Sequence, residues 1–215
     1  MTSRDIAGIR FQAEDDPCTR ITGWLLDSNG KGIKNVDVNA VADDHRAMDP
    51  TDSTGRFSVA LTEAGVYGLE TWINGCFLYY GNDGATGTLR ERKTVSVTEH
   101  DVSALLFQLQ PDMCTLRISG RLLNADGTPR TDNWVGASGE SGRGADWPAE
   151  DGTFSFAVPG PGIYDISVTV DGCEIYYAGN GKSGAKSERR SFNITRSDIT
   201  GIEFRLPEAP ASVCN

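Results

Sequence analysis

Every second residue from Tyr67 to Ile73 (Tyr67, Leu69, Thr71, Ile73) suits one face of a strand, and Tyr164, Ile166, Val168 and Val170 do the same later in the chain. A period of two is that of a half-buried β-strand, whose side chains point alternately to core and solvent. Each run ends in Asn74-Gly75 or Asp171-Gly172, dipeptides that supply the two positive-φ residues of a tight hairpin turn. The stretches align 97 positions apart, with Gly65 on Gly162, Tyr67 on Tyr164, Gly75-Cys76 on Gly172-Cys173 and Tyr79-Tyr80 on Tyr176-Tyr177. The chain is therefore an internal repeat of β-units.

The repeat extends both ways. Cys18-Thr19-Arg20-Ile21-Thr22-Gly23-Trp24-Leu25-Leu26 matches Cys114-Thr115-Leu116-Arg117-Ile118-Ser119-Gly120-Arg121-Leu122-Leu123, a first strand with one inserted residue in the second copy. Turns at Asp27-Ser28-Asn29-Gly30 and Asn124-Ala125-Asp126-Gly127 close it. Residues 36–41 predict a second strand, weakly echoed at 134–137. Residues 43–50 and 139–144 share no chemistry and are expected to form surface loop and short edge strand. Register resumes at Gly55-Arg56-Phe57-Ser58 and Gly152-Thr153-Phe154-Ser155. After the hairpin come polar loops, a strand (94–98; 191–195) and a closing strand at 101–107 and 198–204. A third closing strand, Asp5-Ile6-Ala7-Gly8-Ile9-Arg10-Phe11, precedes the first unit. The expected organisation is an orphan closing strand and linker over 1–17, repeats over 18–110 and 111–207, and the start of a further repeat or a tail over 208–215. That phase predicts an excerpt from a longer array.

Composition narrows the reading. With 38% hydrophobic residues, 25 Gly and 9 Pro, the chain fits a turn-rich all-β protein. No apolar run approaches the ~18 residues of a membrane-spanning helix, so no membrane insertion is expected. A formal net charge of −10 argues against nucleic acid as a partner, because phosphate binding relies on Lys and Arg.

Several motifs resemble a known family. Ile21-Thr22-Gly23-Trp24-Leu25 and Ile118-Ser119-Gly120-Arg121-Leu122, then Asp52 to Ser58 and Asp151 to Ser155, then Gly65-Val66-Tyr67 and Gly162-Ile163-Tyr164 before a strand ending in Gly-Cys, resemble carboxypeptidase regulatory-like domains. These are prealbumin-like, Ig-like seven-stranded β-sandwiches, a group that also includes B-type repeats of bacterial adhesins. The resemblance implies two such sandwiches in tandem and says little about role. Adhesin repeats of this kind often carry a Lys-Asn isopeptide bond assisted by an acid. Glu70 stands where that acid would, but no Lys or Asn lies at matching positions, so no such bond is expected.

Of five cysteines, Cys18 and Cys76 recur at nearly the spacing of Cys114 and Cys173, leaving Cys214. In a sandwich whose first and last strands run parallel, the first strand starts near the turn before Cys76. This predicts Cys18–Cys76 and Cys114–Cys173 disulfides, with Cys214 a free or intermolecular thiol; pairing of Cys76 with Cys114 and of Cys173 with Cys214 stays open. Either scheme implies an oxidising compartment, hence an extracellular or cell-surface location.

Candidate chemistry is sparse. The only histidines, His45 and His100, have no repeat counterparts, and no CxxC suggests zinc. No enzyme activity and no cofactor are expected. Asp43, Asp44, Asp49 and Asp52 are weak calcium candidates as clustered hard oxygens. Trp24 and Trp72 point outward on their strands, Trp72 beside Glu70, and offer flat faces for a glycan or a cell-surface protein. Tyr79, Tyr80, Tyr176 and Tyr177 are a further ligand candidate, shared by both units. Asn193-Ile194-Thr195 is a glycosylation sequon, meaningful in a eukaryotic secretory host. The expected role is a structural or adhesive stalk segment flanked by neighbouring repeats of its parent chain. The alternatives are a ligand-binding module using Trp24 and Trp72, or a subunit that polymerises by donating strand 5–12.

Overall fold

The computed structural model describes residues 19–81 and 84–209. The first half of the chain forms β1 (Thr19–Leu26), β2 (Asp37–Val41), β3 (Arg46–Pro50), β4 (Arg56–Leu61), β5 (Gly65–Ile73), β6 (Cys76–Tyr80), β7 (Thr86–Gly87), β8 (Thr94–Val97) and β9 (Val102–Gln108). The second half forms β10 (Leu116–Leu123), β11 (Val135–Gly139), β12 (Gly142–Asp146), β13 (Thr153–Val158), β14 (Gly162–Val170), β15 (Cys173–Gly179), β16 (Lys182–Gly184), β17 (Ser191–Ile194) and β18 (Ile199–Arg205). The protein is all-β, with short 3-10 segments at Leu89–Glu91 and Lys186–Glu188. The orphan strand 5–12 lies outside the described residues.

Strands assemble by the rules their sequences carry. Asn74 and Gly75 both take positive φ (52° and 83°), as do Asp171 and Gly172 (50° and 78°), so each long strand turns back tightly on its successor. The Tyr67 hydroxyl donates to the Glu63 carbonyl at 2.9 Å and Tyr164 to Gly160 at 2.7 Å, tying the start of each long strand to the turn before it. In the motif Ile-x-Gly-x-Leu the glycine makes room for the closing strand, which lies parallel to the first. A Cβ on Gly23 would stand 2.3 Å from the Leu105 carbonyl oxygen, and one on Gly120 would stand 2.1 Å from that of Ile202.

Two three-stranded sheets result, ordered β4-β1-β9 and β13-β10-β18, with one twelve-stranded sheet through β16-β15-β14-β11-β12-β6-β5-β2-β3. One core gathers Ile21, Leu25, Phe57 and Phe107 from the first small sheet with Val38, Leu69 and Val97 from the large one. Another joins Ile118, Leu122, Phe156 and Phe204 to Val135, Ile166 and Ile194. Each of these cores draws on one half of the chain, so the halves do not interleave. They join edge to edge instead, where β12 meets β6.

Residues 43–50 and 139–144, expected to be unlike each other, occupy equivalent places. Val38 pairs with Asp49 and Val135 with Asp146, the same 97-residue offset, so Arg46 and Arg143 are repeat mates. Of these two segments, only β3 is an edge strand. β12 is paired on both sides, with β11 and with β6.

Candidate functional site

The junction concentrates the side chains whose chemistry exceeds what a core needs. Its centre is the Asn74-Gly75 turn, whose Gly75 carbonyl accepts the Ala145 N–H at 2.8 Å, while Cys76 pairs with Gly144. This approach requires glycine. A Cβ on Gly144 would stand 2.0 Å from the Ala157 carbonyl oxygen, 2.9 Å from the Phe156 ring and 3.0 Å from the Gly75 carbonyl oxygen. Nearby, the Leu89 N–H donates to the Ser141 carbonyl at 2.9 Å, and Arg90 pairs with Glu140.

A disulfide joins Cys76 to Cys114 at this point. This corrects the expected Cys18–Cys76 and Cys114–Cys173 pairing. The linker leaving β9 packs Leu109, Met113 and Cys114 against Cys76, Leu78 and Ala157, so the cysteine nearest the turn is the one that opens the second half. Cys173 is also disulfide-bonded. Cys18 and Cys214 lie outside the described residues.

On the outer face of the large sheet, Asn39, Glu70 and Tyr79 stand side by side on β2, β5 and β6, followed one step along by Trp72 opposite Phe77. The Glu70 side chain is only 7% exposed. Its Oε1 faces Arg46 Nη2 at 3.3 Å and, from the other half, Arg143 Nη2 at 3.5 Å, while Arg46 Nε donates to Asn39 Oδ1 at 3.1 Å. The Arg143 guanidinium lies over the Phe77 ring, 4.1 Å from its centroid, a favourable cation–π placement. Trp72 contacts Phe77 (centroids 6.1 Å apart) and Trp134 (5.1 Å), and Trp134 meets Trp147 at 5.4 Å. Arg143 and Trp134 of the second half thus pack against Phe77 and Trp72 of the first. Burial pushes the Tyr79 hydroxyl pKa above its ordinary value, and the positive charge of Arg143 opposes the shift. Beside these groups opens a cleft of about 650 Å³ lined by both halves.

The structure gathers Glu70, Trp72 and Tyr79 here but sends the other candidates elsewhere. Trp24 lies on the first small sheet, between Arg56 and Leu106 of neighbouring strands, away from Trp72. Tyr80 meets Phe107 edge-on in the first core, and Tyr177 packs with Phe192 and Phe204 in the second. Tyr176 donates its hydroxyl to Glu174 at 2.6 Å. The four aspartates do not converge. Asp49 accepts the Ser58 N–H at 2.7 Å, Asp44 stands 3.5 Å from His45, and Asp52 takes the Thr54 hydroxyl and the N–H groups of Thr54 and Arg56. Those bonds, the Thr54 hydroxyl first, hold the Asp52 pKa below its ordinary value. Among the described residues no group of three or more His, Cys, Asp or Glu is placed to hold a metal ion.

Sequence reading missed Arg46, Arg143, Phe77, Trp134, Trp147 and Asn39. The available signal was departure from the repeat: Glu70, Trp72 and Phe77 have Ser167, Thr169 and Glu174 as mates.

No protein-family model and no curated protein matches the sequence. Among solved structures, a Bacillus anthracis TIE protein is similar at 14% identity over 87% of this chain, with a TM-score of 0.32; the chain spans only 34% of that protein. A minor pilin of Streptococcus agalactiae is similar at 12% identity over 89% of this chain and 99% of its own, TM-score 0.35. A putative adhesin of Bacteroides ovatus is similar at 9% identity over 96% of this chain and 99% of its own, TM-score 0.31. Overlap this low does not transfer a fold or a role to this chain.

Proposed function

We propose that this chain is a non-catalytic structural segment of an exported surface protein, in which two β-sandwich units are clamped into one stiff body that serves as a stalk or spacer. The observation that carries the reading is the Cys76–Cys114 disulfide at the β6–β12 seam, where the halves already share backbone hydrogen bonds, ring contacts and ion pairs. A hinge would avoid such cross-links. The disulfide supports export, since cross-links of this kind persist in oxidising compartments. The resemblance to carboxypeptidase regulatory-like and adhesin repeats fits the same role.

Donation of strand 5–12 has less support. β1 and β10 each pair with the closing strand of their own half, β9 or β18, so the position a donated closing strand would take is filled in both.

Small-angle scattering of the oxidised chain is expected to fit one rigid particle, with the double variant Cys76→Ser/Cys114→Ser adding conformational spread. The cross-link spans 38 residues, and its loss costs about 4 kcal/mol of unfolding free energy on loop-entropy grounds. Non-reducing peptide maps should contain Cys76 joined to Cys114. A wild-type profile that needs two freely tumbling bodies would end the proposal.

A further inference from the structure

The seam leaves positive charge unspent. Arg46 and Arg143 converge on one oxygen of Glu70, at 3.3 and 3.5 Å, so a single carboxylate answers two guanidinium groups in a chain whose net charge is −10. Glu70 is buried, whereas the arginine side chains remain 51% and 45% exposed. The carboxylate therefore holds the pair from below, and both arginines line the cleft with exposed side-chain surface. Guanidinium groups held in this way suit a further carboxylate, which accepts paired, charge-assisted hydrogen bonds.

The rest of the cleft is neither purely apolar nor purely charged. Trp72 and Met48 supply exposed hydrocarbon, 39% and 57% exposed respectively, and Asn39 lines the floor. Asp37 also lines the cleft, but at the far end of β2: Val41 pairs with Arg46, whereas Asp37 pairs with Pro50. That separation is about 13 Å at strand spacing. A ligand matching the sequence of groups would carry a carboxylate at one end, a weakly apolar face in the middle and hydroxyl donors at the other.

We infer that the cleft between β3 and β11 at the seam binds a short acidic saccharide, its carboxylate on Arg46 and Arg143, a ring face against Trp72 and Met48, and hydroxyls donating to Asp37. This inference rests on the docked seam of the stalk reading and not on the stalk role itself, and failure of the titration below would leave the rigid-particle result standing. Because Arg143 and Trp134 come from the other half, the site exists only while the halves stay docked.

The test is calorimetric or NMR titration of the full oxidised chain at low salt with digalacturonate, sialyllactose, lactose and triglutamate. At least one acidic sugar is expected to bind about tenfold or more tightly than lactose and more tightly than triglutamate. Arg46→Gln should remove that preference, with an unchanged circular dichroism spectrum showing an intact fold, and Arg143→Gln should do the same. Digalacturonate against sialyllactose separates a uronate from a sialic acid source. Absence of binding by both acidic sugars, equal binding of lactose, tighter binding of triglutamate, or a preference that survives Arg46→Gln would each overturn the inference.

Discussion

The two halves agree in their cores and part where they touch. Ile21 opposes Val59 just as Ile118 opposes Phe156, and Val38 opposes Thr71 just as Val135 opposes Val168, all at one offset of 97 residues. At the seam the mates differ in kind. Gly142, Gly144 and Ala145 of β12 replace His45, which precedes β3, and Ala47 and Met48 of β3. Met48 is 57% exposed and Ala145 only 9%. Small residues let the neighbouring turn approach β12; bulkier ones leave β3 as an edge. The difference teaches that a repeated β-unit acquires a specific neighbour by trimming one strand to glycine and loading the facing surface with rings and a buried acid.

A second contrast lies away from the seam. In the second half Arg189 Nε pairs with Asp165 at 2.6 Å, and Ser191 donates to the same carboxylate at 2.5 Å. The mate of Asp165 is Gly68, so Arg92 has no such acid. Its guanidinium lies against Gly68, Nη2 reaches the Val41 carbonyl at 3.5 Å, and Nε is buried without a hydrogen-bond partner. Unpaired buried donors are costly, which makes this corner of the first half the less well satisfied of the two.

The largest test of the comparison is Gly144→Val. A side chain there must displace the Ala157 backbone or the Gly75 turn, and chemical denaturation should register a loss of about 2–3 kcal/mol. Ala47→Val at its mate, half-buried against the first core on the edge strand, should cost no more than about 1 kcal/mol. Equal costs would show that glycine at the seam is incidental.

Next comes alkaline titration, which separates the mates Tyr79 and Tyr176. Burial, reinforced by Glu174, pushes the Tyr176 pKa from its ordinary 10.0 to about 12, whereas Arg143 acts in the opposite sense on Tyr79. Between pH 10 and 12 an unfolded chain releases the Tyr176 proton and the folded chain keeps it. The stability this group contributes is full below pH 10 and falls as pH rises through that window. Glu174→Gln should lower the ultraviolet titration midpoint of Tyr176; an unmoved midpoint would remove Glu174 as a cause.

The smallest effect belongs to Gly68→Asp, which offers Arg92 the acid that Arg189 already has. The clash is with the far end of a flexible side chain, so a gain of a few tenths to about 1 kcal/mol is expected. A loss would mean that Arg92 is held where it lies by more than the absence of a partner.

Much of this was legible in the residues. Asn74-Gly75 and Asp171-Gly172 announced the hairpins because only certain residues take two consecutive positive φ values. The alternation from Tyr67 to Ile73 announced which face is buried, and β5 places Tyr67 and Leu69 in the core as that pattern requires. The pairing within each unit gives way to the alternative Cys76–Cys114, because reasoning within one unit finds the nearest cysteine in that unit. The linker residues Leu109 and Met113, which carry Cys114 to the turn, belong to the contact between units.

Local conformation, strand faces and the offset between repeats follow from the chain alone, because they depend on backbone dihedral preferences and on a period that neighbouring residues share. That Arg143 joins Arg46 on Glu70, that Trp134 meets Trp72, and that Cys114 finds Cys76 were decided only when β12 came to lie beside β6. Those pairings join residues remote in sequence, and nothing in either partner's local pattern encodes the distance between them.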